Sequence, residues 1–348
     1  MKTIGYASQS PDSALAPIHF ERRALRANDV AMEVLYCGVC HSDLHTARND
    51  WGWTQYPNVP GHEIVGRVTA IGSDVNRYKV GDTVAVGCMV DSCQTCNHCH
   101  DGEEQFCSSM IQTYNSPDLH DGQITFGGYS RHLVVREEFV LRVPEALDLA
   151  LVAPLLCAGI TTYSPLKTWN VKPGTQVGVV GLGGLGHMAV KLASGMGANV
   201  TVISRSADKQ ADALALGADS FLVSSDADAM KTAASKFDII IDTVPVKHDL
   251  NPYMPLLNVD GTLVLVGQVG PVAETNTTPM ILGRRRIAGS LIGGIAETQE
   301  MLEFCAEKGI LPECEMIRMD EINHAFQRME ASDVRYRFVI DMSSLDVA

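Results

Sequence analysis

No apolar run in this 348-residue chain approaches the ~18–20 residues that would span a bilayer, and the stretch Met1 to Ser10 has no apolar core of the kind a secretory leader carries. No membrane association is expected, and the reading is cytoplasmic. Positive charge is also scarce. Lys and Arg number 27 against 41 Asp and Glu, a formal charge of −14, and the one dense basic run, Arg284-Arg285-Arg286, is too short to track a phosphate backbone. Nucleic acid is therefore not an expected partner. Internal repeats and low-complexity tracts are missing as well, so no repeat array is indicated. What the chain does have is cysteine. Ten of them without a leader argue against a disulfide framework and for metal binding or free thiols. At this length, two domains of ~100–200 residues are expected.

The pattern changes partway along. From Lys2 to Val143, short β-rich runs (Val30 to Cys37, Glu63 to Ile71, Asp82 to Gly87) alternate with Gly and Pro turns, which suggests a compact barrel-like domain with the metal motifs in its loops. From about Leu149 the chain reads as alternating units: helical Val152 to Tyr163, strand Gln176 to Val180, helix His187 to Gly197, strand Asn199 to Ile203, helical Ala207 to Leu216, then strands at Asp238 to Ile241 and Thr262 to Val266. That alternation predicts an α/β fold with a doubly wound parallel sheet. Helical Glu297 to Lys308 and strand-like Tyr336 to Asp341 are expected to return to the first domain. The expected division is 1–150 with 290–348, and 151–289.

Three motifs carry chemistry. The first is Cys40-His41-Ser42-Asp43-Leu44-His45 followed by Gly61-His62-Glu63, where a thiolate, an imidazole and carboxylates are candidate zinc ligands or supports, or simply buried side chains. The second is Cys93-x2-Cys96-x2-Cys99-x7-Cys107. Four thiolates close a tetrahedral zinc shell with no open position, which is a structural site. An iron–sulfur cluster competes, but the last spacing is seven residues rather than three and Ser108, not Pro, follows Cys107. The third is Gly181-Leu182-Gly183-Gly184-Leu185-Gly186, which follows a strand and opens a helix, the setting in which glycines admit a pyrophosphate. At the end of the next strand, where an NAD site places an Asp or Glu, the chain reads Ser204-Arg205-Ser206 with Lys209 one turn on. Cationic and hydroxyl groups there suit a 2′-phosphate, so the cofactor expected is NADP(H).

With these motifs in this order, and with the stretches GVCHSDLH, YPNVPGHEIVGRV, APLLCAGITTYSPL, GLGGLGHMAVK, DTVPVKH and DVRYRFVID, the chain resembles the zinc-dependent medium-chain alcohol dehydrogenases, most closely their cinnamyl-alcohol-dehydrogenase branch. The resemblance implies a GroES-like catalytic domain with a Rossmann domain, two zinc ions per chain, and a homodimer assembled through the Rossmann sheets. It implies that Cys40, His62 and Cys157 hold a catalytic zinc with a fourth position open, that Glu63 approaches the metal during ligand exchange, and that Asp43 orients His62. Ser42 would pass a proton outward, with His45 as a later member of the relay; Ser42 stands where plant members commonly have Thr. Thr161 and Ser290-Leu291-Ile292 would lie on the nicotinamide side, with Thr243 and Gly267 along the cofactor. His41 is read as a loop residue without a chemical role.

The resulting expectation is an NADP(H)-dependent zinc alcohol dehydrogenase working mainly as an aldehyde reductase on aromatic or medium-chain aldehydes. Trp51, Trp53 and Met89 are candidates for an apolar substrate wall, an exposed loop being the other reading of either Trp. The same-class alternative is an NAD-linked zinc polyol or simple-alcohol dehydrogenase, which Ser204 disfavours. A redox or nucleotide-sensing binding protein on a dehydrogenase scaffold, without turnover, is the rival from another class, and the intact Cys40/His62/Cys157 set argues against it.

Overall fold

The computed structural model describes residues 1–348 apart from 268–269, 272–273 and 346–348. The chain divides into two compact units, Met1–Cys157 with Gly293–Ala348, and Ala158–Ile292. Cys157, which the texture of the sequence assigns to the second domain, closes the first, and Ser290 to Ile292 stay with the second.

A seven-stranded sheet organises the first unit. Its order is Cys314–Arg318, Arg337–Asp341, Asp29–Val39, Ile64–Ile71, Thr83–Val86 and Leu141–Arg142, with His132–Arg136 also paired to Asp29–Val39. The long strand Asp29–Val39 is largely buried, as its Val, Met, Leu and Cys content dictates. Antiparallel pairing sets Cys37 against Ile64 and Val39 against Phe338. That register brings Cys40, just past the end of one strand, beside His62-Glu63, just before the start of the next, with Arg337 opening a third.

Cys40 also ends the strand as a helix cap. Its sulfur accepts from Ser42 N, and the Asp43 carboxylate accepts from Cys40 N, so a reciprocal capping box starts helix His41–Ala47. The segment expected to be a loop is helical, and His41 is its first residue. The single helix expected over Val152 to Tyr163 is instead interrupted. Helix Leu149–Val152 tightens into a 3-10 turn, Ala153–Leu156, and Cys157, at φ −129°, ψ −66°, breaks it before helix Ala158–Thr168. Pro154 starts the tight turn and lacks the amide a longer helix would use. Among the described residues no single helix is long and apolar enough to cross a membrane.

The second unit is a six-stranded, all-parallel sheet ordered Ser220–Val223, Asn199–Ser204, Gln176–Val180, Phe237–Asp242, Leu257–Leu265, Arg286–Gly289. Counted along the chain this is 3-2-1-4-5-6, whose switch point lies between Gln176–Val180 and Phe237–Asp242, where a doubly wound sheet opens a ligand crevice at its carboxyl edge. Its strands are almost continuously apolar because helices cover both faces.

Candidate active site

Four donor side chains, Cys40, His62, Glu63 and Cys157, converge in the first unit with ligand atoms all within 4.8 Å of one another, and all four are buried. Cys40 Sγ and Cys157 Sγ lie 3.9 Å apart. Two thiolates on one tetrahedral zinc, at ~2.3 Å each, stand ~3.8 Å apart, so the spacing fits that ion. The mutual hydrogen bond of the two sulfurs, with His62 and Arg337 assisting, holds Cys40 well below the usual thiol range, and the same bond pushes Cys157 up.

Asp43 sets the imidazole. Its Oδ1 accepts from His62 Nδ1 at 3.0 Å and from Gly61 N at 2.9 Å, and its Oδ2 accepts from Cys40 N at 2.9 Å and from the Tyr129 hydroxyl at 3.1 Å. The carboxylate is therefore satisfied in full although no part of it reaches solvent. With Nδ1 donating to Asp43, the other ring nitrogen is left as the ligand, the arrangement that fixes a metal-binding tautomer. Tyr114 packs against the His62 ring at 5.6 Å.

Glu63 is held differently. Its Oε1 accepts from Arg337 Nη2, while Oε2 is buried and without a hydrogen-bond partner among the described residues. Burial pushes the carboxyl up to about 7 against the opposing Arg337 charge. A buried carboxylate oxygen without a hydrogen-bond partner, beside two sulfurs and an imidazole, fits a cation-binding set. Gly38 makes room for it, since a Cβ there would sit 1.9 Å from Oε2. Arg337 is 4 % exposed and faces Glu63, Cys40 and Cys157, whose negative charge keeps it cationic despite its burial.

On the helix that Cys40 caps, Ser42 Oγ lies 3.7 Å from Cys40 Sγ, and His45 follows three residues later on the same face. His45 Nδ1 is 2.7 Å from Asp50 Oδ2, and its ring stands 5.6 Å from Trp51, which in turn stacks 5.5 Å from Trp53. Trp53 is 57 % exposed, whereas Met89 is 3 % exposed, a core residue on strand Met89–Asp91.

Cys93, Cys96, Cys99 and Cys107 form the second cluster. Sulfur separations of 3.5 Å (Cys93–Cys107), 3.5 Å (Cys96–Cys99) and 3.9 Å (Cys93–Cys99) again match a tetrahedral edge of ~3.8 Å. The backbone amide and hydroxyl of Thr95 pull the Cys93 thiol down to about 6.

In the second unit Gly181, at φ +89°, makes the turn from strand Gln176–Val180, and a Cβ on Gly186 would lie 2.3 Å from Gly181 O, so the helix Gly186–Gly195 starts in close contact with the turn only because of glycine. Gly183 faces open space. Leu182, Gly184 and Leu185 complete the turn. Thr243 Oγ1 donates to Val180 O at 2.8 Å beside it, and Ser290 N donates to Leu265 O at 3.1 Å. Thr161 sits 7 % exposed in helix Ala158–Thr168, and Leu291 is half exposed. A Cβ on Gly267 would meet Val244 O at 2.8 Å.

At the tip of Asn199–Ser204 the loop is more engaged than its composition suggests. Ser206 Oγ donates to Asp208 Oδ2 at 3.0 Å, and Lys209 Nζ donates to Leu182 O at 3.1 Å, tying the loop to the glycine turn. Arg205 is exposed. Sequence reasoning missed Arg337, Tyr114, Tyr129, Asp50 and Asp208. A signal existed only for Arg337, a charge at the head of the apolar strand Arg337–Asp341.

Residues 26–145 match the family described as Alcohol dehydrogenase GroES-like domain, and residues 184–307 match Zinc-binding dehydrogenase. The chain is 53 % identical to 8-hydroxygeraniol dehydrogenase of Catharanthus roseus, over 99 % of this chain and 96 % of that protein. It is 52 % identical to NADP-dependent alcohol dehydrogenase C 1 of Mycolicibacterium smegmatis, over 99 % of both. Among solved structures, a cinnamyl alcohol dehydrogenase of Sorghum bicolor superposes with a TM-score of 0.96 at 48 % identity, covering 99 % of this chain and 98 % of that one. Sequence, fold and paired cysteine clusters agree, and the chain belongs to the zinc-dependent medium-chain alcohol dehydrogenases, in their cinnamyl-alcohol-dehydrogenase-like branch.

Proposed function

We propose that the protein is an NADP(H)-dependent zinc alcohol dehydrogenase that reduces aromatic or medium-chain aldehydes to primary alcohols. The observation that carries this reading is the buried Cys40/His62/Cys157 set with the spare oxygen of Glu63 beside it. A protein that only sensed a nucleotide would have no use for it. When bound, zinc supplies Lewis acidity toward a carbonyl oxygen and the reduced nicotinamide supplies a hydride. The chain's own residues do the rest. Cys40, Cys157 and His62 present the donors, Asp43 holds the imidazole, Arg337 offsets the negative charge of the thiolates and Glu63, and Ser42 both accepts and donates a proton near the reacting oxygen. His45, 32 % exposed at its side chain, stands at the outer end of that path with Asp50 to hold its ring.

Asp50→Asn is expected to slow alcohol oxidation about tenfold, and His45→Gln ~10–100-fold with partial rescue by small exogenous bases, both near the lower edge of what a positioned acid–base group contributes. Unchanged rates in both variants, measured where proton release limits turnover, would show that the pair is only a surface contact.

The cofactor class rests on the tip of Asn199–Ser204, which ends in a serine followed by an exposed arginine, and on the NADP-dependent relative from Mycolicibacterium smegmatis. One or two charge-assisted contacts to a 2′-phosphate, at ~1.5–3 kcal/mol each, give a preference for NADPH over NADH on the order of 10–10⁴-fold. An aldehyde panel run with both reduced cofactors measures it. Arg205→Ala should erase part of the preference and leave the NADH rate nearly unchanged, whereas equal efficiency with both cofactors in the unmutated enzyme would reject the assignment.

We also infer a homodimer. Strand Arg286–Gly289 ends the six-stranded sheet, and the neighbouring helix Thr278–Gly283 leaves Ile281 and Leu282 75 % and 80 % exposed, a surface that a second copy would cover. Light scattering checks it. A cytoplasmic location is supported by ten cysteines of which none is paired in a disulfide.

A further inference from the structure

We propose that His248 and Asp242 form a clasp that positions the loop 243–248 against the glycine turn, making His248 a positioning residue for the dinucleotide. The inference rests on the reading of the second unit as the cofactor domain. Asp242 is the last residue of strand Phe237–Asp242, so it stands at the switch point of the sheet, and it is fully buried. Its Oδ1 accepts from Val244 N at 3.1 Å, and its Oδ2 faces His248 Nε2 at 2.9 Å. His248 Nδ1 lies 2.8 Å from Val246 O. Both ring nitrogens are thus engaged, one on the strand end and one on the loop itself, and the ring packs edge-on against Tyr253 at 6.1 Å.

What the clasp holds in place is a wedge. Thr243 and Val244 press on three glycines. A Cβ on Gly181 would lie 3.0 Å from Thr243 Oγ1 and 3.1 Å from Val244 Cγ2, one on Gly186 would lie 3.2 Å from Thr243 Oγ1, and one on Gly267 would lie 2.8 Å from Val244 O. The front of the loop therefore forms one wall of the turn expected to admit the pyrophosphate. The middle of the loop cannot hold itself, because Pro245, Val246 and Lys247 are exposed and make no core. Its far end is fastened at His248. Removing the ring leaves Oδ2 of a buried carboxylate unpaired and frees the loop from that end, so the wall of the cradle loses its fixed position while the first unit, with both metal clusters, is untouched.

The test is titration of the purified holoenzyme with NADPH and with NADH, followed by quenching of protein fluorescence, alongside steady-state kinetics and zinc analysis. His248→Ala is expected to raise the Kd of both cofactors about tenfold, the value of one lost buried charge-assisted hydrogen bond, with kcat at saturating cofactor within about twofold of the parent and zinc content unchanged. His248→Gln keeps one N–H for Asp242 and should recover most of the loss, to within about threefold of the parent Kd. A role in stability alone would lower the melting temperature and leave both Kd values where they were, and that result overturns the proposal. Should His248→Ala fail to fold, His248→Phe decides, because it keeps a ring against Tyr253 and offers no N–H to Asp242: faster amide exchange at 243–248 with a raised Kd supports the clasp, and a parent Kd overturns it. A parent enzyme that prefers NADH would reject the NADP assignment without touching this one, because the wall serves the pyrophosphate common to both cofactors.

Discussion

Cys157→Ser is expected to give a folded chain that carries one zinc per chain rather than two and oxidises alcohols and reduces aldehydes about 10³-fold less efficiently than the parent. Cys157 is 7 % exposed, at the break between the 3-10 turn Ala153–Leu156 and helix Ala158–Thr168, and its sulfur stands 3.9 Å from that of Cys40. A serine hydroxyl fits the same space, so packing is preserved. It does not ionise near neutral pH and is a hard, weak donor, so the three-donor set falls to one thiolate and one imidazole. Losing Lewis acidity worth ~4 kcal/mol at the transition state is a ~10³-fold loss of kcat/KM. The Cys93 to Cys107 cluster lies in a separate lobe, so the melting temperature should change little. Metal analysis, circular dichroism and an aldehyde assay check the three parts, and a Cys157→Ser enzyme as active as the parent would reject the assignment of Cys157 to the catalytic centre.

How much of this was legible follows from what each feature depends on. The strands Gln176–Val180 and Phe237–Asp242 show in the sequence because a parallel sheet covered on both faces demands a continuous apolar run, and Gly181 and Gly186 show because only glycine fits the turn. The Cys93 to Cys107 lobe is readable because its four ligands are close in the chain. Arg337 is readable only as a charge at the head of an apolar strand and not in its role, because its partner is 274 residues away, Glu63, brought near by the pairing of Val39 with Phe338. Asp50 and Asp208 escaped for the opposite reason, since an exposed acid in a polar loop looks the same whether it holds a ring or solvates a turn. Helix His41–Ala47 was hidden by its cap: a cysteine in the N-cap position is not among the usual residues, although Asp43 completes the box. The break at Cys157 was masked by an apolar stretch with helical composition on both sides, with only Pro154 to mark it.

The second large effect is expected from Cys107→Ser, and it should appear in stability rather than in the chemistry. The lobe from Cys93 to Cys107 has almost no regular structure, a four-residue helix Asn97–His100 and a three-residue 3-10 turn Glu104–Phe106, and Phe106 is 47 % exposed, so apolar burial does not order it. Four sulfurs 3.5–3.9 Å apart would repel one another as thiolates without a cation between them. A metal held by the four sulfurs would order the lobe, since structural zinc contributes apparent binding energies of ~10–16 kcal/mol in small zinc peptides. The lobe in turn holds the rest of its unit. Glu104 Oε2 accepts from Ile295 N at 3.0 Å, at the start of helix Ile295–Lys308, and Gly294 packs so closely on Gly102 that a Cβ would sit 1.8 Å from Gly102 O. A variant that loses this zinc should therefore melt roughly 10 °C or more below the parent, a loss of several kcal/mol, and proteases should cut first between 93 and 107. Strong chelators should produce the same change in the parent enzyme, with loss of activity by the catalytic metal following its own time course. If Cys107→Ser retains two zinc ions per chain and melts within about 2 °C of the parent, the lobe is ordered by its backbone contacts and the structural-metal assignment fails.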